Sequence, residues 1–200
     1  MVAENNNSKN KRIAKNTFYM YLRMILVMLV SLYTVRIVLK NLGVEDYGIY
    51  NLIGGVVVLF SFITNSSGAA VQRYLNFSLG ENDVEGAKDV YNASVIIHIV
   101  VSLIILVLAE TIGLWFVNNY LVIPENRVTV ANWIYQFSIL TMILGIIRTP
   151  DNATVIAYEK MSFYAVLSIF ECFGKLAIAF LLAIWKGDKL FYYGFLVALI

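Results

Sequence analysis

The chain has 200 residues, of which 60% are hydrophobic and 14% charged, and its mean hydropathy is +0.75; an ordinary soluble domain needs about a quarter of its residues charged, so a polytopic membrane protein is indicated. The formal net charge of +2 is too small to argue for nucleic acid, and the basic residues cluster at the ends of apolar runs rather than on one face. One cysteine, Cys172, and one histidine, His98, exclude an internal disulfide and a Cys/His metal cluster.

Residues 1–16 are polar and carry Lys9, Lys11, Arg12 and Lys15, as expected of a cytoplasmic tail. The apolar run that follows is longer than a signal-peptide core and lacks a small-residue cleavage site, so it reads as a retained first span over 17–39. Arg23 and Arg36 interrupt it. With Leu29 at the midplane each lies about 10 Å from the centre, within snorkelling reach of an interface; the other reading lines an inner cavity with them, because charge within a span usually faces the bundle interior.

Leu42 to Val57 reads LGVEDYGIYNLIGGVV, a polar knot between two apolar runs. Backbone polar groups in lipid must be satisfied within their own segment, so the chain is expected to cross, turn and return here. Gly43 suits the positive φ that ends a helix, and Glu45 and Asp46 suit the start of the next. The second span, 47–72, is free of charge up to Arg73 and too long for one perpendicular crossing. A bend is expected at Gly54-Gly55 or at Asn65-Ser66-Ser67-Gly68. The polar belt from Asn65 to Asn76 serves either as helix-helix glue or as the lining of a substrate path.

Leu79 to Asp89 reads as a loop, and the third span, 91–117, holds His98 and Glu110. These two are about 18 Å apart along a straight helix and roughly 120° apart around it, so each needs a partner elsewhere. Near the midplane Glu110 must be protonated, paired or facing water. The fourth span, 128–155, has Trp133 and Tyr135 placed as interfacial anchors and a kink at Pro150, where Arg148 and Asp151 can pair on one face. The alternative is a helix that ends there. The fifth span, 163–185, carries Glu171 and Lys175 at i and i+4 near the midplane, in the favourable order for a pair; the cost of desolvating them suggests a wet interior, a titrating site or an anion site, against a pair that only locks packing. Leu190 to Ile200 begins a sixth run too short to span, so the chain is expected to continue. Basic residues outside the spans favour a cytoplasmic N-terminus.

RIAKNT at Arg12 to Thr17, LGVEDYGIYNLIGGVV at Leu42 to Val57, AETIGLWF at Ala109 to Phe116, ANWIYQFSIL at Ala131 to Leu140 and IAYEKMS at Ile156 to Ser162 together resemble bacterial O-antigen flippases. These are Wzx-type polysaccharide exporters, related to MATE drug transporters within the multidrug/oligosaccharidyl-lipid/polysaccharide superfamily. The resemblance implies an all-α membrane helix bundle of two lobes in the bacterial inner membrane. This chain would be the N-terminal lobe over 17–200, cut in its sixth helix. It also implies an undecaprenyl-pyrophosphate-linked oligosaccharide as substrate, a coupling ion (H+ or Na+), membrane lipids and glycan polymerase or ligase machinery as partners, and no cofactor. Candidates for a cationic substrate cavity are Arg23, Arg36, Arg73, Arg148 and Lys175. Candidates for ion coupling are Glu110, Glu171, His98 and Asp151. Two other readings stay open: a MATE-type cation-coupled drug antiporter, and a non-transporting membrane component of glycan assembly. An enzyme is not expected, since His98 alone does not make a catalytic constellation, and no Walker-type ATP site appears.

Overall fold

A computed structural model describes the backbone of residues 2–59 and 62–200 and the side chains of residues 17–59 and 66–200. The basic side chains expected in the tail, Lys9, Lys11, Arg12 and Lys15, and that of Asn65 lie outside the described residues. Among the described residues the chain is all-helical, and four helices are long and apolar enough to cross a membrane: Thr17–Val58, Val84–Tyr120, Glu125–Ile147 and Met161–Ile184. Large apolar side chains along the third of the runs in the sequence, Ile96, Val100, Leu103 and Val107, are each more than half exposed. A surface of that kind is stable against lipid and not against water. This is an all-α membrane protein.

Helix α1 (Val2–Val58) holds one residue off the helical backbone, Gly43, at φ 83 and ψ 170. That region is essentially reserved for glycine. The limb before Gly43 runs beside α7 (Met161–Ile184) in the same direction: Arg23 meets Tyr164, Ser31 meets Cys172 and Asn41 donates to the carbonyl of Ala179. The limb after it follows α5 (Val128–Ile147) and α8 (Lys189–Ala198), with Asp46 on Arg127, Tyr50 on Tyr193, and Ile53 and Val57 in a core with Ile134, Tyr135 and Ile139. Helices α7 and α8 pack together across a connection of only residues 185–188, so they are antiparallel. The chain therefore reverses at Gly43, as the polar knot predicts.

The second run is described as two helical stretches, one ending at Val58 and one starting at Phe62, with no bend at either expected place. The limb continues unbroken through Gly54 and Gly55 to Val58, and α2 (Phe62–Gly80) contains the whole Asn65 to Gly68 stretch. The expected loop from Leu79 to Asp89 shrinks to a tight turn: α2 reaches Gly80, Asn82 closes the turn at φ 58, and α3 (Val84–Leu108) starts at once. The acids that look like loop residues are cap residues. Asp83 accepts from the Gly86 amide at 2.9 Å and Glu85 sits in the first turn, where exposed amides and the helix dipole favour negative charge.

From α3 the helix passes through a π turn (Ala109–Gly113) into α4 (Leu114–Tyr120) without a break. It runs antiparallel to α5, since Asn118 faces Asn132 and Glu110 faces Gln136. After α5 the chain kinks at Arg148 and enters α6 (Thr149–Ala157), with Pro150 in the first turn, where its missing N–H costs nothing. Helix α6 packs on α2 so closely that a Cβ on Gly68 would stand 3.1 Å from the Thr149 methyl. Small residues at such a crossing are what brings helices together in lipid.

Candidate functional site

Helix α7 carries polar residues at 164, 168, 171 and 175, a spacing of three and four that places Tyr164, Ser168, Glu171 and Lys175 on one face. That face lines a half-open cavity of about 260 Å³, shared with Arg23, Val27 and Ser31 from the first limb of α1, with Arg148 at the junction of α5 and α6, and with Asn152 from α6. Four of the charged residues singled out in the sequence thus converge from three separated stretches of chain. Lys175 Nζ stands 2.7 Å from Glu171 Oε1, so the expected pair forms, with both side chains nearly half exposed at 44% and 48%.

The Arg23 guanidinium lies over the Tyr164 ring, 4.6 Å from its centroid. A cation is favoured there by the ring's quadrupole. Its Nε is buried without a hydrogen-bond partner. Among the described residues neither Arg23 nor Arg148 has a carboxylate at ion-pair distance. Three cations and one carboxylate line the cavity, a formal charge of +2 in a space that remains open to the surface. Such an arrangement has the donors that suit an anion: two guanidinium groups offer forked donors matched to carboxylate or phosphate, and the ammonium adds a movable point charge.

The remaining candidates lie elsewhere. Arg36 is exposed on α1, and Arg73 is exposed on α2 beside Tyr74 and Phe77 in a separate surface groove. His98 is buried between α3 and α2, with Nδ1 at 2.7 Å from the Ser94 carbonyl and Nε2 at 3.0 Å from Ser67 Oγ. Asp151 does not pair with Arg148. It accepts the Tyr91 hydroxyl at 2.7 Å, because the kink turns Arg148 to the cavity and leaves Asp151 on the side of α3.

Glu110 finds its partner in Gln136, whose Nε2 donates to Oε2 at 3.1 Å. It sits in the π turn, a distortion that frees a carbonyl for other bonds. Tyr135 fills that role: its hydroxyl donates to Ala109 O at 2.7 Å, and the residue is completely buried. Tyr135 is therefore not an interfacial anchor. A phenol bonded to a helix carbonyl is as well satisfied in the core as at an interface, and nothing in the α5 sequence separates the two.

Sequence reasoning missed a second charged centre, at the Gly43 end. Arg127 spans Asp46 at 2.9 Å and Asp188 at 2.8 Å, and Asp188 also caps α8 by accepting from the amides of Leu190 and Phe191. The cap is legible as Asp188 before an apolar run; the bridge is not, since its partners are 81 and 61 residues from Arg127. Compared with family models, with curated proteins and with solved structures, the chain finds no match.

Proposed function

We propose that this chain is a lobe of a transporter that flips an undecaprenyl-pyrophosphate-linked oligosaccharide across the bacterial inner membrane for O-antigen or other surface polysaccharide synthesis. The observation that carries the reading is the convergence of Arg23, Arg148 and Lys175 on one cavity within helices of membrane-spanning length. A pyrophosphate cannot cross hydrocarbon unpaired, so its carrier needs cations at bilayer depth and a water-filled space around them. The five sequence segments that resemble Wzx-type exporters support the same reading.

On this reading the chain is a six-helix lobe with its N-terminus in the cytoplasm, packed against a second lobe of MATE-like arrangement, and the two open alternately to the two leaflets. Arg23 and Arg148 hold the pyrophosphate while the sugars and polyprenyl chain follow. The cycle draws on an ion gradient, each charge moved through 100 mV being worth about 2.3 kcal/mol. The antiporter reading draws on Glu110, an acid in a distorted membrane helix with a neutral amide partner.

A strain lacking the gene, complemented with wild type, Arg23→Gln or Arg148→Gln, separates the two. Loss of surface glycan with lipid-linked repeat units accumulating on the cytoplasmic leaflet, restored by wild type and not by either variant, is the expected result. Intact glycan with drug hypersensitivity overturns the proposal in favour of the antiporter.

A further inference from the structure

We propose that the groove between α2, α3 and α6 seats the head group of a membrane phospholipid that carries both a phosphate and a primary ammonium, as phosphatidylethanolamine does, with Lys88 on the phosphate and Asp151 on the ammonium. The groove has a volume of about 470 Å³, is open to the surface and shares no lining residue with the cavity of Arg23, Arg148 and Lys175. The proposal rests on the chain being a membrane protein and not on the flipping activity.

Two matched helix faces build the groove. On α3, Lys88, Tyr91 and Asn92 stand at i, i+3 and i+4; on α6, Asp151 and Tyr158 stand at i and i+7. Leu75 of α2 and Ala87 of α3, both buried, give it an apolar floor that suits the start of the acyl chains. Its place is one end of the bundle: Lys88 lies in the second turn of a helix of membrane-spanning length, and Tyr158 directly follows the last residue of α6. The ends of membrane helices lie at the level of the lipid head groups, where tyrosine is enriched and lysine reaches the interface.

The charges choose the ligand. Among the described residues Lys88 has no carboxylate at ion-pair distance, although Glu85 and Asp89 flank it in sequence. Asp151 likewise has no cation at that distance; its Oδ1 accepts the Tyr91 hydroxyl at 2.7 Å, and a carboxylate has further lone pairs to offer. Lys88 and the tyrosine that holds Asp151 are about 4.5 Å apart along the axis of α3. The groove therefore presents a cation and an anion close together without neutralising one by the other. A head group with a phosphate alone leaves Asp151 facing a like charge, and a quaternary ammonium has no N–H to give it. A primary ammonium has three donors and is tied to the phosphate by a short two-carbon link, so one head group can meet both charges. Tyr91 and Tyr158 add rings that attract an ammonium, and the exposed amide of Asn92 adds donors for the phosphate.

Native mass spectrometry of the protein in detergent, titrated with phosphatidylethanolamine, phosphatidylglycerol or phosphatidylcholine of the same acyl chains, tests the assignment. Wild type is expected to hold phosphatidylethanolamine about threefold more tightly than either of the others, the factor equivalent to an exposed ion pair. Asp151→Asn should bring the three lipids to one level. Lys88→Gln should weaken all three, since each carries the phosphate, and Lys88→Arg should restore the wild-type order, which separates loss of the cation from loss of the fold. Asp89→Asn, next to Lys88 in sequence and outside the groove, should change nothing. A wild-type preference for phosphatidylglycerol overturns the proposal in favour of a site for anionic head groups. Equal binding of the three lipids overturns it, as does unchanged affinity in Lys88→Gln. A preference for phosphatidylethanolamine that survives Asp151→Asn also overturns it, because the ammonium then sits elsewhere.

Discussion

The hydroxyl of Tyr135 donates to the carbonyl of Ala109 at 2.7 Å, tying α5 to the first residue of the π turn. The same hydroxyl occupies the space where a side chain on Gly113 would begin. Tyr135→Phe removes the donor and strands the carbonyl, which costs about 1 to 2 kcal/mol given that membrane hydrogen bonds are worth little more than those in water. Gly113→Ala is expected to destabilise the wild type more strongly than it does the Tyr135→Phe background. Thermal unfolding of the four proteins in detergent measures this coupling; strictly additive effects contradict the contact.

Gly43 carries the reversal of the chain on its backbone alone. A Cβ there meets nothing within 4 Å, yet φ 83 with ψ 170 is a conformation that other residues avoid. Gly43→Ala should therefore cost about 1 to 3 kcal/mol despite the open space. Gly48→Ala, equally uncrowded but helical, should be neutral or stabilising by up to about 1 kcal/mol. Unfolding temperatures of the two variants check the contrast, and equal effects would show that the turn tolerates an ordinary residue.

Arg127 joins the hairpin tip to the α8 cap by charge, as a fork with two prongs on Asp46 and Asp188. Arg127→Ala leaves Asp46, only 8% exposed, without its counter-charge, and a loss of about 1 to 3 kcal/mol is expected. Asp188→Asn removes the more exposed partner and should cost about 1 kcal/mol or less. Arg127→Lys should recover only part of the loss, because an ammonium cannot hold two carboxylates in the fork geometry. Stability at low and high salt separates the prongs: the Asp188 contribution fades with salt and the Asp46 contribution persists.

How far these features are legible in the sequence follows the range of the interaction. The reversal at Gly43 and the Glu171–Lys175 pair are local, set by one backbone angle and one helical turn, and both can be read directly. Acids before an apolar run are ambiguous: Asp83 and Glu85 suit a loop or a cap equally, and only the packing of α2 against α3 makes them a cap. Burial of Tyr135 depends on a carbonyl 26 residues away. The meeting of Arg23, Arg148 and Lys175 depends on α1 and α7 running side by side and on the kink at Arg148, neither of which leaves a periodicity in the chain. The spacing of four, three and four between Tyr164, Ser168, Glu171 and Lys175 is the available signal for the cavity wall, since a polar stripe on an apolar membrane helix faces the interior or water.

That stripe yields the sharpest test of whether the cavity is wet. Phe170 and Glu171 are adjacent on α7 but about 100° apart around it; Phe170 is 78% exposed on the apolar surface, and Glu171 lines the cavity. In a Cys172→Ala background, which removes the native thiol, Glu171→Cys should react with a charged, membrane-impermeant thiol reagent on the order of tenfold faster than Phe170→Cys, because a thiol facing hydrocarbon is neither ionised nor reached by the reagent. An anionic reagent should outpace a cationic one of similar size at Cys in position 171, since Arg23, Arg148 and Lys175 raise the local concentration of anions. Adding Arg23→Gln should narrow that preference. Equal rates at the two positions would place Glu171 against lipid, and a preference for the cationic reagent would mean that the three basic groups do not set the potential of the cavity.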